Sequence, residues 1–298
     1  MEIVKNRVQP IWQQIKHRAE LSAEELSDLN KNLLGLNGEI LFEKIIQTYM
    51  DNGLIYQDLH LQIFNKEFQI DCLAVMQDEI YIFEVKWTHY DVTLHNGSFY
   101  FTDRMAEIEG YALQKVRTQK LMARFLDYHQ LNYKVHYFHV FINPAQRVYG
   151  VQKNNNCLSY FDSISLISQL SKVPNFYSHE QLQSILLQEH MLSSRHSKCP
   201  ALHFNEAKKG VLCLCEQDFI QRMTERQFKC SCGKVYTSED YLKLAVEELR
   251  RLFNDESFTV QRVHEWIDGN LDKRTVRRFL CKYFVKRSNC KGAYYTSH

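Results

Sequence analysis

Charged residues interrupt two neighbouring apolar segments of the sequence. Asp71 lies within Phe68–Val75, and Glu84 and Lys86 lie within Ile80–Trp87. Side chains alternate between the two faces of a strand, so Glu84 and Lys86 are expected on the same face of a sheet. A buried carboxylate without a partner is costly, so these residues imply a bound cation, a salt bridge or an open cleft.

A divalent metal site is the interpretation that we favour for these three residues. Two carboxylates and one ammonium leave a net negative charge, which Mg²⁺ or Mn²⁺ would balance. Such an ion polarises a phosphoryl oxygen and acidifies a bound water, while Lys86 would orient that water or neutralise developing charge. Glu39, at the start of a predicted helix, could reach the same ion. The alternative is an ion pair of Lys86 with Asp71 or Glu84 that only ties the sheet together.

The elements around these residues are predicted to alternate between helices and strands. Ser22 and Glu25 have the spacing of a capping box, which predicts a helix start. Apolar residues recur at helical intervals from about 38 to 51. The β-branched and aromatic run Leu59–Phe64 then predicts a strand ahead of the two charged segments.

Beyond the charged strands, Asn96-Gly97 predicts a hairpin between two short strands. A long helix is expected from about Met105 to Tyr128, followed by a buried strand over Val135–Ile142. The apolar side of that long helix is predicted to comprise Leu113, Val116, Leu121 and Phe125. This order of elements predicts an α/β core that ends near residue 190.

These residues together resemble the NERD (nuclease-related) domain, a branch of the PD-(D/E)xK restriction-endonuclease-like fold. The resemblance covers roughly residues 35 to 130 and is carried by Gly38-Glu39, Ile70-Asp71, Phe83-Glu84-Val85-Lys86-Trp87 and Leu113-Gln114. It implies a nuclease in which Asp71, Glu84 and Lys86 occupy metal-binding and catalytic positions. It also implies that Glu39 is the acidic residue of the helix and Gln114 the motif glutamine, although the proline that often precedes this glutamine is absent.

Four cysteines form two close pairs, Cys213/Cys215 and Cys230/Cys232, and Gly233 follows the second pair. An intracellular chain keeps its thiols reduced, so this pattern favours a structural Zn²⁺ held by four thiolates over disulfides. Substitute ligands that we also consider are Cys199 and His203.

The C-terminal segment is rich in cations. Between Lys273 and Lys291 the sequence contains no acidic residue, although the net charge of the whole chain is only +2. Two short helices around Asp268-Gly269-Asn270 predict a helix-turn-helix, with Ser288–Tyr295 as a small wing. The residues expected to contact nucleic acid are Lys273, Arg274, Arg277 and Arg278. The alternative is a solvated basic helix with no ligand.

The predicted fold class is α/β, a restriction-endonuclease-like mixed sheet flanked by helices, followed by a small zinc module and a helical C-terminal module. The expected domains are an N-terminal helical segment (1–34), the nuclease-like domain (35–190), a zinc-ribbon-like module (199–236) and a helix-turn-helix-like module (237–298). The sequence contains no apolar stretch of signal-peptide or membrane-span length, so we expect a soluble, cytoplasmic protein.

The leading functional prediction is a metal-dependent nuclease that acts on DNA, with Mg²⁺ or Mn²⁺ at the catalytic site. A non-catalytic DNA-binding or regulatory protein that retains the nuclease scaffold is the second hypothesis. An RNA-processing role is the third, because basic helices and zinc modules also bind RNA. The sequence does not decide the oligomeric state.

Overall fold

The computed structural model of this protein describes residues 2–5, 11–151, 156–191, 202–215, 217–253, 255, 257–288 and 293–296. These residues form two compact units. The first unit comprises Met1–Val8 and Asn30–Ser197, and the second comprises Gln9–Leu29 and Lys198–His298. The Cys199 position lies outside the described residues.

The helices are α1 (Ile11–Lys16), α2 (Ala23–Tyr49), α3 (Tyr111–Tyr128), α4 (Tyr160–Ser171), α5 (Glu180–Glu189), α6 (Ser238–Phe253), α7 (Val260–Trp266) and α8 (Lys273–Tyr283). The strands are β1 (Glu2–Lys5), β2 (Leu54–Ile63), β3 (Lys66–Met76), β4 (Glu79–Lys86), β5 (Val92–His95), β6 (Ser98–Phe101), β7 (Lys134–Phe141), β8 (Val148–Tyr149), β9 (Cys157–Ser159), β10 (Gln221–Arg222), β11 (Gln227–Lys229), β12 (Val235–Thr237), β13 (Ser257–Phe258), β14 (Val285–Arg287) and β15 (Tyr294–Thr296).

A six-stranded mixed sheet forms the centre of the first unit, in the order β1-β2-β3-β4-β7-β9. Strands β2, β3 and β4 are antiparallel neighbours, whereas β7 runs parallel to both β4 and β9. Helices cover both faces: α2 and α4 pack on one face, and α3 and α5 pack on the other. The predicted α/β class, with a mixed sheet flanked by helices, is therefore confirmed.

The predicted hairpin forms as its sequence indicates. Strands β5 and β6 pair antiparallel with His95 opposite Ser98, and both Asn96 and Gly97 have positive φ. Positive φ at both central residues is the requirement that an Asn-Gly turn meets without strain. The hairpin joins β8 in a second, three-stranded sheet of the first unit.

Helices α2 and α3 differ from prediction. The helix that begins after Ser22 and the helix predicted over 38–51 form one continuous helix, α2. Its start has the predicted capping box, because the Glu25 N–H donates to Ser22 Oγ and the Ser22 N–H donates to Glu25 Oε2. Gly35 and Gly38 lie within α2 but do not break it, because the packing of the helix outweighs the low helix propensity of glycine.

Helix α3 begins at Tyr111 rather than near Met105, because Met105 and Gly110 have positive φ in the turns before it. Its predicted apolar side is wrong in part. Leu121 and Phe125 are buried, but Leu113 is 75% exposed and Val116 is 63% exposed. The first half of α3 contacts the sheet through Tyr111, which packs against His139 and Phe141 of β7, and not through Leu113 and Val116.

In its described residues, the second unit combines two small sheets with helices α1, α6, α7 and α8 and the start of α2. Strands β10, β11 and β12 form one antiparallel sheet beside the four paired cysteines. Helices α6, α7 and α8 share one hydrophobic core with the sheet β13-β15-β14. The core side chains of α8 are the predicted ones, Val276, Phe279 and Leu280.

A buried ion pair anchors the N-terminal segment of the second unit. Arg18 Nη2 lies 2.8 Å from Glu248 Oε1, and both side chains are almost inaccessible to solvent. The same carboxylate accepts hydrogen bonds from the Leu212 N–H and from Trp266 Nε1. These donors offset part of the hydration that the buried carboxylate loses.

In the part of the chain that the structure describes, no helix is both long and apolar enough to cross a membrane.

Candidate active site

The site begins where strands β3 and β4 cease to pair through their backbones. Their ladder reaches Cys72 and Phe83, and the next N–H on β4 that faces β3, that of Val85, donates to Asp71 Oδ2 at 2.8 Å. A side chain thus replaces a backbone carbonyl as the acceptor. The Asp71 carboxylate is thereby held between the two strands, beside Glu84.

Glu84 and Lys86 lie on the same face of β4, as the period of two requires. Lys86 Nζ lies 2.8 Å from Glu84 Oε1 and donates to Gln114 Oε1 at 3.0 Å. The Gln114 amide in turn donates to the same Glu84 oxygen. Helix α3 therefore closes a three-membered ring of polar contacts, in which Gln114 accepts from the lysine and donates to the glutamate.

Tyr111 is a further neighbour of the lysine. Lys86 Nζ lies 5.1 Å from the centre of the Tyr111 ring, a cation–π contact. Tyr111 is one helical turn before Gln114, so both side chains lie on the same side of α3. Sequence reasoning missed this residue, although its i, i+3 spacing from Gln114 was visible.

Helix α2 brings a third carboxylate to the site. A Cβ added at Gly38 would lie 3.0 Å from Trp87 Cβ and 3.2 Å from Ile142 Cγ2, so the absence of a side chain lets the helix approach the sheet closely. Glu39 follows directly. Its negative charge is close enough to Asp71 to affect the pKa of that residue.

The electrostatics of the site are those of a carboxylate cluster with too little positive charge. Burial, then the charges of Glu84 and Glu39, raise the pKa of Asp71 well above its ordinary value. Lys86 and the Val85 N–H lower it, but they offset this effect only in part. One ammonium among three carboxylates leaves a net negative charge, which a divalent cation would neutralise.

The residues present fit a hard divalent metal ion. Glu84 is 3% exposed, and its Oε2 has no hydrogen-bond partner among the described residues. A buried carboxylate oxygen without a donor is costly unless a cation binds it. Asp71, Glu84 and Glu39 are oxygen donors of the type that Mg²⁺ and Mn²⁺ accept. The structure thus brings together all five of the residues predicted for this site.

His139 is a buried neighbour of the site that sequence reasoning did not single out. It is the register partner of Glu84 on β7 and is 1% exposed. Burial, followed by the charges of Lys86 and Lys115, lowers its pKa to about 3, so the imidazole stays neutral near pH 7. A histidine within an apolar strand gives no sequence signal that separates such a residue from an ordinary core position.

The four paired cysteines of the second unit converge on one point. Their ligand atoms all lie within 4.8 Å of one another, and the Sγ–Sγ distances are 3.7 Å for Cys213–Cys232 and 3.6 Å for Cys215–Cys230. Thiolates around a tetrahedral zinc at about 2.3 Å lie roughly 3.8 Å apart. The cluster could therefore hold a zinc ion, with ligands from both CxC pairs.

Cys213 and Cys215 differ in the pKa of their thiols. Burial raises the pKa of Cys213 to about 12, whereas a hydrogen bond from the Gln217 backbone N–H is the main cause that lowers the pKa of Cys215 to about 7. A cation bound between them would favour the thiolate form of both. His203, the other substitute ligand considered, is not part of the cluster found among the described residues.

The predicted nucleic-acid contacts lie on the outer face of α8. Asp272 caps this helix by accepting from the N–H groups of Arg274 and Thr275. The four predicted cations, Lys273, Arg274, Arg277 and Arg278, are all exposed to solvent, as is Lys282 near the end of the helix. The structure therefore separates the apolar and cationic sides of α8 as the sequence indicates.

Comparison with known proteins identifies one family in the chain. Residues 34–142 match the family described as NERD, nuclease-related domain. The match contains all five residues of the carboxylate–lysine cluster and covers just over a third of the chain. Neither the curated proteins nor the solved structures include a significant match. The matched segment thus points to nuclease-type chemistry, with nucleic acid as the substrate.

Proposed function

We propose that this protein is a metal-dependent nuclease of the PD-(D/E)xK type that hydrolyses DNA phosphodiester bonds. One observation carries the proposal: Asp71, Glu84 and Lys86 meet on adjacent strands within the segment that matches the nuclease-related domain. The unpartnered buried oxygen of Glu84 supports a metal-binding role over a purely structural ion pair.

Asp71, Glu84 and Glu39 would hold the catalytic Mg²⁺ or Mn²⁺. When bound, the metal supplies Lewis-acid polarisation of the phosphate and acidification of a water. Lys86 orients the attacking water or neutralises charge on the phosphate as it reacts. Gln114 keeps the ammonium in place through its contacts with both Lys86 and Glu84, and the Tyr111 ring faces the same cation.

The second unit would bind the nucleic acid. A zinc ion at the four cysteines would have a structural role, because a closed shell of thiolates leaves no open position for a substrate. Helices α7 and α8 with the sheet β13-β15-β14 have the element order of a winged helix-turn-helix. Helix α8 would then present Arg274, Arg277 and Arg278 to phosphates or base edges.

A cleavage assay with purified protein tests the proposal and identifies the substrate class. Single-stranded DNA, double-stranded DNA and RNA would each be incubated with Mg²⁺, Mn²⁺ or EDTA. We expect cleavage of DNA with either metal and none in EDTA. The control compares Glu39→Gln with Glu43→Gln, one turn further along α2, and only the former is expected to slow cleavage.

Two outcomes would contradict the proposal. Binding of DNA without cleavage under any of these conditions would favour the non-catalytic regulatory protein. Cleavage of RNA alone would favour the RNA-processing role.

A further inference from the structure

A polar cavity lies directly beside the catalytic cluster in the first unit. Its volume is about 520 Å³, within the range of roughly 300–1,000 Å³ typical of small-ligand sites. Its walls include the β5–β6 turn at Asn96, the ring of Phe99, Ala112 and Lys115 of α3, His139 of β7, and Asn156. None of the five residues assigned to catalysis lines it.

The cavity and the catalytic cluster share two structural elements. On β7, His139 lines the cavity and is paired in register with Glu84. On α3, Ala112 and Lys115 line the cavity, whereas Gln114 contacts Lys86. The Tyr111 ring connects the two sites, because it lies 5.1 Å from Lys86 Nζ and 5.9 Å from the His139 ring. A group in the cavity would therefore be a close neighbour of a phosphate at Lys86.

Backbone and ring contacts connect the walls of the cavity. His139 donates its backbone N–H to the Asn156 carbonyl at 3.0 Å, and its ring contacts the Phe99 ring at 4.9 Å. Gly150 has φ +72°, and a Cβ there would clash with the Leu94 carbonyl, so β8 and the hairpin strand β5 are in direct backbone contact. A preformed site loses little conformational freedom when a ligand binds.

The chemistry of the lining fits a nucleobase. The exposed His95 ring offers a surface on which a base can pack, and the amides of Asn96 and Asn156 can both donate to and accept from a base edge. Lys115 supplies a positive charge for an adjacent phosphate. Enzymes that do chemistry on a base extrude it from the stack into such a pocket, and we infer the same mode of binding for a base beside the scissile phosphate.

We propose that this cavity is a base-binding subsite that receives an unstacked nucleobase next to the scissile phosphate of a single-stranded region. The inference rests on the proposed nuclease function and deepens it. A base held there would fix which phosphate reaches Lys86, so cleavage would require an unstacked nucleotide at one fixed offset from the cut bond.

Fluorescence of 2-aminopurine tests the subsite separately from cleavage. A set of short single-stranded DNA oligonucleotides would carry this base at successive positions and would be titrated, with Mg²⁺, into the Lys86→Met protein, in which cleavage is expected to be blocked. We expect a fluorescence change at one position. Ala112→Phe, which fills the cavity, and Asn156→Leu, which removes an amide, should each weaken that binding by about tenfold or more.

Leu113→Phe is the matched control, because Leu113 is the next residue on α3 and is 75% exposed outside the cavity. This variant should bind as the parent does. Equal binding by Ala112→Phe and Leu113→Phe, a signal independent of position, or no oligonucleotide binding at all would overturn the subsite, even if wild-type protein cleaves. A position-specific signal without wild-type cleavage would retain the subsite and reject the nuclease.

Discussion

The Asp71 carboxylate serves the proposed metal site, but its burial among other carboxylates costs the folded protein stability. Its carboxylate completes the strand pairing by accepting the Val85 N–H, yet it lies among two other carboxylates. The pKa of Asp71 is raised, so the folded protein binds a proton at this site more tightly than the unfolded chain does. Proton binding by Asp71 stabilises the folded protein fully below the pKa that this residue has in the unfolded chain. This stabilisation is lost as the pH rises through the pKa of Asp71 in the folded protein.

Replacing Asp71 with Asn should therefore stabilise the metal-free protein at pH 8, because Asn cannot ionise and can still accept the Val85 N–H. The gain relative to wild type should shrink as the pH falls from 8 to 5, because protonation of Asp71 in the folded protein costs less free energy at lower pH. Chemical denaturation at both pH values, in EDTA, measures this difference. An Asp71→Asn protein that is less stable than wild type at pH 8, or a gain that grows on acidification, would contradict the assignment.

At the scale of elements, the site depends on the close approach of α2 to the sheet at Gly38. Gly35 lies in the same helix, but a Cβ added there would meet nothing within 4 Å. The two glycines therefore differ only in what surrounds them. Gly38 is required by the close packing of α2 on the sheet. Gly35 is only a helix residue with low intrinsic helix propensity.

Gly35→Ala should stabilise the protein by about 0.5–1 kcal/mol, as expected for glycine to alanine within a helix. Gly38→Ala should lose this gain, because the added methyl meets Trp87 Cβ at 3.0 Å, and it should weaken metal binding by displacing Glu39. Denaturation and calorimetric Mn²⁺ titration measure the two effects. Identical behaviour of the two variants would show that the approach of α2 does not position the site.

The elements also show what the sequence could and could not predict. The hairpin was predictable because Asn96 and Gly97 act locally through their own backbone angles. The cluster was predictable because charges in apolar strands require an explanation. The exposure of Leu113 was not, since periodicity does not reveal which part of a helix the sheet covers. The Arg18–Glu248 pair joins distant parts of the chain, and no local pattern indicates it.

Helix α8 gives a further test at this scale. Replacing Arg274, Arg277 and Arg278 together with Ala should weaken DNA binding by at least about tenfold and reduce its salt dependence, because fewer counterions are released. Binding measured at several salt concentrations tests this, with Lys243→Ala on α6 as the control. Unchanged affinity and salt slope in the triple variant would leave α8 as a solvated basic helix.

At the scale of the whole molecule, the two units are stabilised in different ways. The first unit buries helices on both faces of a sheet, whereas the second combines small sheets, short helices and the cysteine cluster. Small modules of this kind gain much of their folding free energy from metal binding. Loss of zinc should consequently affect the second unit far more than the first.

Cys230→Ser should abolish stoichiometric zinc binding and lower the thermal stability of the second unit, while metal-dependent cleavage of a short oligonucleotide persists. Cys281→Ser is the matched control, because Cys281 is exposed and lies outside the cluster. Elemental analysis and thermal unfolding measure both effects. Full zinc content in the Cys230→Ser protein would contradict the four-thiolate site.

In the proposed function, Lys86 belongs to a catalytic site rather than to a structural ion pair. The most direct measurement is the single-turnover cleavage rate of Lys86→Met, beside a Lys134→Met control on β7 and with Mn²⁺ binding measured in parallel. We expect Lys86→Met still to bind Mn²⁺ but to cleave at least about 10²-fold more slowly, while the control cleaves as wild type does. Cleavage at the wild-type rate by Lys86→Met would contradict the catalytic role and leave Lys86 as a member of a structural ion pair.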